Sequence, residues 1–250
     1  DILEHPNLVI KSGTGTGKTT ASSKLIKRIN KGGGYKIVSI VSRVSLASQH
    51  MKNFKKNNNI KMRNYLRRSD EQLNKDKAIA IQVDSLMRLD LDEFHNTIIF
   101  LDEVNSIVEY ILNSSTLRAR RQIVLNMLCI LLKQASHIIA VDADVSDLTV
   151  QFFKSLDIDI HLIQNTFKNC KGVKAIDYQH KDAIIDVLKH KLSKGEKFVV
   201  CFDSLGEQDL VIEELKQYAE ENELDVKKSF LNYSSKDGTD QDLEDATKAW

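Results

Sequence analysis

Lys11-Ser12-Gly13-Thr14-Gly15-Thr16-Gly17-Lys18-Thr19-Thr20 is the stretch on which the reading of this chain turns. It follows the apolar run Leu8, Val9, Ile10 and opens a periodic segment from Lys18 to Asn30, so its context is strand, glycine-rich loop, helix. Gly13, Gly15 and Gly17 let backbone amides converge on phosphate oxygens, and the helix beginning near Lys18 adds its dipole. Lys18 can reach terminal phosphates, Thr19 is left to hold Mg²⁺, and Ser12, Thr14, Thr16 and Thr20 complete the cradle. Ser12 stands where the GxxxxGK[ST] pattern has its first Gly, so the motif is better written SxTGxGKT. The competing reading is a flexible Gly-Thr surface loop; the flanking strand and helix favour a nucleotide-binding site.

A phosphate loop alone does not separate kinases, GTPases, transporters and helicases. The next carboxylates matter. Thr97-Ile98-Ile99-Phe100-Leu101-Asp102-Glu103-Val104-Asn105 places two acids at the end of an apolar strand. There Asp102 can hold Mg²⁺ through water while Glu103 orients and deprotonates the water that attacks a γ-phosphate. An isolated Asp-Glu pair usually caps a helix. On the same sheet as a phosphate loop it favours hydrolysis, since a kinase must keep its phosphoryl group from water. The expected catalytic residues are Lys18, Asp102 and Glu103, with Thr19 and Asp102 at the metal.

The rest of the chain supplies a frame for that site. Its 250 residues, 42% hydrophobic and 28% charged, are globular in composition and long enough for two modest domains. Lys plus Arg number 36 against 35 acids, so a net charge of +1 gives no global push toward a polyanion and any such site is local. Cys129, Cys170 and Cys201 form no CxxC pattern, which argues for reduced intracellular thiols rather than a disulfide framework or zinc knuckle. No window approaches a membrane-spanning run and no signal sequence opens the chain. It begins at Asp1 and stops at Trp250 in mid-pattern, the expectation for a fragment of something longer.

Short β-branched runs alternate with helical patterns. Strands are expected at Asn7 to Lys11, Lys36 to Val41, Ala78 to Val83, Thr97 to Leu101, His137 to Asp142, Val173 to Asp177, Lys197 to Phe202 and Asp225 to Leu231. Helices are expected at Lys18 to Asn30, Ser45 to Lys56, Arg120 to Gln134, Lys181 to Ser193 and Leu205 to Asn222. This alternation argues an α/β fold, a parallel sheet with helices on both faces. Runs such as Thr97 to Leu101 are continuously hydrophobic, as burial on both sides demands. The polar interval Gln164 to Lys174 is the expected linker, giving a first domain over 1–165, a linker over 166–174 and a second domain over 175–250. The basic, Asn-rich segment Lys52 to Arg68 reads either as a nucleic-acid patch or as a solvated helix and loop.

The SxTGxGKT and Asp-Glu elements together resemble superfamily 2 helicases and translocases, and further segments follow in that superfamily's order. Ser42-Arg43-Val44-Ser45-Leu46-Ala47-Ser48-Gln49 looks like the segment written TRxLAxQ, whose members touch nucleic-acid phosphates; its ordinary reading is a helix start capped by Ser42 or Ser45. Gln82-Val83-Asp84-Ser85-Leu86 falls where a further strand-contacting motif lies. Val141-Asp142-Ala143-Asp144 occupies the place of the Ser-Ala-Thr coupling motif, with two carboxylates replacing two hydroxyls. Those departures, with Asp-Glu-Val-Asn-Ser-Ile and Ser114 to Arg118, resemble the helicase module of herpesvirus-type replication origin-binding proteins. Phe198 to Ser204 is similar to the first strand motif of a second RecA-like domain, and Tyr233-Ser234-Ser235-Lys236 follows the next strand as in that family.

The resemblance implies a P-loop NTPase fold with one RecA-like domain and a second, incomplete one. It implies an ATP-dependent DNA helicase or translocase acting in replication, with Ser42, Arg43, Gln49 and Ser85 on the DNA backbone and Asp142 and Asp144 coupling nucleotide state to DNA grip. DNA and other replication proteins are the implied partners, with no membrane, in the nucleus or at a viral replication site. The second domain's DNA-gripping motif and arginine finger are expected beyond Trp250, which leaves this stretch weak in hydrolysis by itself. Two other classes stay open: an ATPase or kinase acting on a small molecule, and a non-hydrolysing helicase-fold scaffold.

Overall fold

In the computed structural model, which describes residues 4–169 and 171–224, fifteen α-helices and strands succeed one another among the described residues. They are β1 (Asn7–Ser12), α1 (Lys18–Ile29), β2 (Lys36–Val41), α2 (Val44–Asn58), β3 (Arg63–Asn64), α3 (Asp70–Lys75), β4 (Ala78–Gln82), β5 (Thr97–Asp102), α4 (Val104–Asn113), α5 (Arg121–Gln134), β6 (His137–Asp142), α6 (Asp147–Ser155), β7 (His161–Asn165), α7 (Lys181–Ser193) and α8 (Leu205–Glu221). The chain divides into two compact units, residues 1–171 and 172–250.

All seven strands belong to the first unit and run parallel in the order β3-β4-β2-β5-β6-β1-β7. Period-two alternation sorts their side chains. Val38, Ile40, Ile99, Leu101, Ile138 and Ala140 pack with Val104, Ile107, Leu128 and Phe153 of α4, α5 and α6. Ile37, Ile98, Phe100, Ile139 and Val141 pack instead with Ile26 of α1 and Phe54 of α2. Each such side chain larger than Ala contributes about 1.5–3 kcal/mol on leaving water, before entropy is counted. The sheet is therefore RecA-like, parallel and covered by helices on both faces, as the continuous hydrophobic runs require.

Five expected strands form with small shifts at their ends. Val83 leaves the sheet to open a 3₁₀ turn, Val83–Arg88. β7 was not expected: its side chains are mostly exposed, so it carries little apolar signal and is held by backbone pairing to β1. The first two residues of the expected linker interval, Gln164 and Asn165, accordingly close a strand.

In the second unit, α7 and α8 bury Ile185 and Leu188 against Val211 and Leu215. The strands expected at Val173 to Asp177 and Lys197 to Phe202 do not form among the described residues. Val173 and Ile176 are 75% and 70% exposed, and a strand needs a neighbour to supply its ladder. Phe198, Val200 and Phe202 still pack partly against the helices while Val199 faces out, so alternation persists without pairing. Asp225 to Leu231 and Tyr233 to Lys236 lie outside the described residues.

Candidate nucleotide site

The loop after β1 takes its shape from two glycines in left-handed conformation, Gly15 at φ +73° and Gly17 at φ +84°. A side chain at Gly15 would also collide with Asn169, whose Nδ2 lies 2.7 Å from the position of a Cβ. Gly17 is the N-cap of α1; no side chain caps this end and no acid lies in its first turn. Those amides are thus free to meet an anion. Lys18 Nζ donates to the carbonyls of Ser12 (2.7 Å) and Gly13 (3.1 Å), which curls the ammonium over the loop. Ser12 Oγ and Thr16 Oγ1 share a hydrogen bond at 2.7 Å. Thr14 contributes its carbonyl to Asn169 Nδ2 at 2.9 Å, and the Thr20 hydroxyl accepts from Asn57 Nδ2 at 3.4 Å. Asn165 Nδ2 donates to Ser12 Oγ at 2.9 Å, so two asparagines of the polar interval brace the loop.

Asp102 ends β5 on the same side of the sheet as Ile98 and Phe100, because every second residue shares a face. That parity carries it to α1 and α2. Thr19 Oγ1 donates to Asp102 Oδ2 at 2.9 Å, and His50 Nε2 lies 2.8 Å from the same oxygen. Residues 83 positions apart in sequence thus form one hard-oxygen pair, a hydroxyl and a carboxylate. Mg²⁺ is commonly held in this way, by one or two protein oxygens together with water and substrate phosphate. Loop, free helix amides, lysine and oxygen pair together fit a magnesium nucleotide.

Glu103 sits at φ 57°, ψ 55°, a left-handed conformation uncommon for a residue with a side chain. Half-buried at the N-cap of α4, it caps no amide there, and its carboxylate has no hydrogen bond among the described residues. The amide of Asn105 is met instead by Asp142 Oδ2 at 2.8 Å. Asp142 ends β6 on the α4 side, where its Oδ1 also accepts the amide of Asp144 at 3.0 Å. Asp144 itself is exposed. Asn105 Oδ1 accepts from the hydroxyls of Ser146 and Thr149, which ties α4 to the start of α6.

The remaining expected contacts line the ends of β2 and β4. Arg43 and Gln49 are exposed, at the N-cap and within α2; no side chain caps this helix, so neither Ser42 nor Ser45 does. Ser42 is buried with its hydroxyl unpaired, and its carbonyl accepts from Gln82 Nε2 at 3.2 Å. Ser85 is half-buried in the 3₁₀ turn beside Tyr65, whose phenol burial pushes above its ordinary pKa. Tyr65 Oη donates to Gln82 Oε1 at 3.0 Å, so the two segments are physically joined. The Lys52 to Arg68 run forms the last turns of α2, edge strand β3 and a 3₁₀ turn, with Phe54 and Tyr65 buried. No described helix is long and apolar enough to cross a membrane.

Sequence reasoning missed Asn105 and His50. His50 was legible as spacing, since Ala47, His50, Phe54 and Asn58 form the buried stripe of α2.

Residues 3–197 match the profile of a family described as origin of replication binding protein. The replication origin-binding protein of Human herpesvirus 6B (strain Z29) is 31% identical over 178 residues, 70% of this chain and 22% of that protein. Its counterpart in Human herpesvirus 7 (strain JI) is 28% identical over 216 residues, 83% of this chain and 26% of that protein. The chain thus spans about a quarter or less of the length of these relatives. Among solved structures, the helicase MrfA bound to DNA and AMPPNP superposes with a TM-score of 0.62 at 12% identity, covering 88% of this chain and 35% of that one.

Proposed function

The chain belongs to the family of origin of replication binding proteins, with the fold of superfamily 2 helicases, and we propose that it is the ATP-hydrolysing motor module of a DNA helicase that acts in replication. Residues 1–165 are the nucleotide-binding RecA-like domain, 166–174 the linker, and 175–250 part of a second RecA-like domain. The observation that carries this reading is the 2.9 Å bond from Thr19 to Asp102, which joins the phosphate loop to the acidic pair. The relatives named for replication origins and a helicase of like fold holding DNA and AMPPNP support DNA as the track.

ATP with Mg²⁺ supplies the transferable γ-phosphoryl group and the charge that offsets its oxygens. Toward it, Lys18 and the loop from Ser12 to Thr20 would hold phosphate, while Thr19 and Asp102 would hold the metal. Glu103, whose left-handed backbone leaves its carboxylate out of the helix cap, takes the proton of the attacking water. Asp142 and Asp144 sense the outcome through Asn105, two residues from Glu103. Arg43, Gln49 and Ser85 meet the DNA backbone, while Ser42, expected beside them, is buried and supports the turn by accepting from Gln82 Nε2. Such contacts read no sequence and weaken with salt.

The test is ATP turnover by the protein with and without single-stranded DNA, with Lys18→Ala as the blank. Stimulation by DNA that vanishes in the variant supports the motor. Turnover indifferent to DNA points to a small-molecule ATPase, and none to a scaffold.

A further inference from the structure

We propose that His50 is a positioning residue for the carboxylate of Asp102, and that through it the orientation of the metal-holding group is tied to α2. This rests on the nucleotide-site reading above. A buried imidazole is costly unless its ring nitrogens are paired. His50 is 1% exposed and has both partners: Ser39 Oγ at 2.7 Å from Nδ1 and Asp102 Oδ2 at 2.8 Å from Nε2. A carboxylate only accepts, so Nε2 carries the proton toward Asp102, and a neutral ring accepts the Ser39 hydroxyl at Nδ1.

Packing fixes the ring as well. Its centroid lies 5.4 Å from that of Phe100 and 6.3 Å from that of Phe54. Ser39 and Phe100 belong to the two central strands, β2 and β5, whereas His50 rides on the helix. The sheet therefore holds one side of the imidazole and α2 the other. Thr19 and His50 both donate to Oδ2, which would leave Oδ1 for the metal or a water bound to it. A shift of α2 by about half an ångström stretches the bond from His50 to the weak end of its range and leaves Thr19 alone to hold Oδ2. Arg43 at the N-cap of the same helix and Gln49 within it are exposed and are among the residues assigned to DNA, so α2 is a short mechanical path from track to metal.

Binding of a fluorescent ATP analogue, measured with and without Mg²⁺, decides the positioning role. His50→Phe should lower the magnesium-supported affinity about 10- to 100-fold, the usual effect of losing a group that orients a metal ligand. The magnesium-free affinity should stay as it was. His50→Gln, whose amide can donate in place of Nε2, should recover most of the loss. Ser39→Ala should give a smaller fall in the same direction, and carries the comparison should His50→Phe fail to fold. Equal losses with and without Mg²⁺, or none, overturn the proposal. DNA stimulation of turnover reads the second part: in His50→Phe the stimulation factor should fall more than the basal rate, and a proportionate fall refutes the link through α2. A wild-type protein that DNA does not stimulate fails the motor reading, and the magnesium comparison then decides for or against His50 alone.

Discussion

Asp102 and Asp142 end neighbouring strands in the same sheet, one after Leu101 and one after Val141, yet they do different work. Asp102 shares parity with Ile98 and Phe100 and meets α1 and α2, where a hydroxyl and an imidazole take hold of one oxygen. Asp142 shares parity with Ile138 and Ala140 and meets α4, where it takes a backbone amide. One residue of register separates the carboxylate proposed to hold the metal from the one that caps a helix. Glu103 stands between them, its left-handed backbone joining the end of β5 to α4.

The sharpest way to break this contrast is at Glu103. Glu103→Gln should cut turnover by about 10² to 10⁴-fold while nucleotide binding persists, the loss expected for a general base; turnover against binding in one preparation checks it. Asp102→Asn should weaken magnesium-supported binding by about a hundredfold, since the proposed metal-holding group loses its charge. Asp142→Ala should leave that affinity within about twofold. Similar losses in the two variants would erase the distinction between the faces. Asp142→Ala should instead cost about 1 kcal/mol in stability, the scale of a lost helix cap, and lower the melting temperature by about 2–4 °C for a chain of this size.

The smallest effect concerns the other end of β6. Burial holds the imidazole of His137 below its ordinary pKa, against a weaker opposing pull from the Pro6 carbonyl. The folded form therefore binds fewer protons than the unfolded one once pH drops below about 6.5. The stability it contributes is present above that value and is lost as pH falls through the folded pKa. Melting followed from pH 7.5 downward should decline more steeply in wild type than in His137→Asn, and parallel curves would remove His137 from the account.

A second contrast lies between the units. Both carry apolar runs of strand character, and in the first these runs find ladder partners on either side. In the second, Lys197 to Phe202 keeps its alternation against α7 and α8 without pairing among the described residues. Local pattern alone cannot supply a neighbour.

The sequence by itself determined the parallel, doubly covered sheet, because continuous β-branched runs alternating with helical periods have few other ways to bury themselves. It also placed the phosphate loop, because glycines ahead of Lys18 and Thr19 carry their meaning locally. Tertiary structure decided the rest. β7 rests on backbone pairing that leaves no apolar mark, the joining of Thr19 to Asp102 depends on strand order, and the partnership of His50 with Asp102 depends on which face each residue occupies. Asn105 and Asp142 met for the same reason. Hydrogen bonds between residues far apart in the chain follow from register and packing, and neither is written in any single segment.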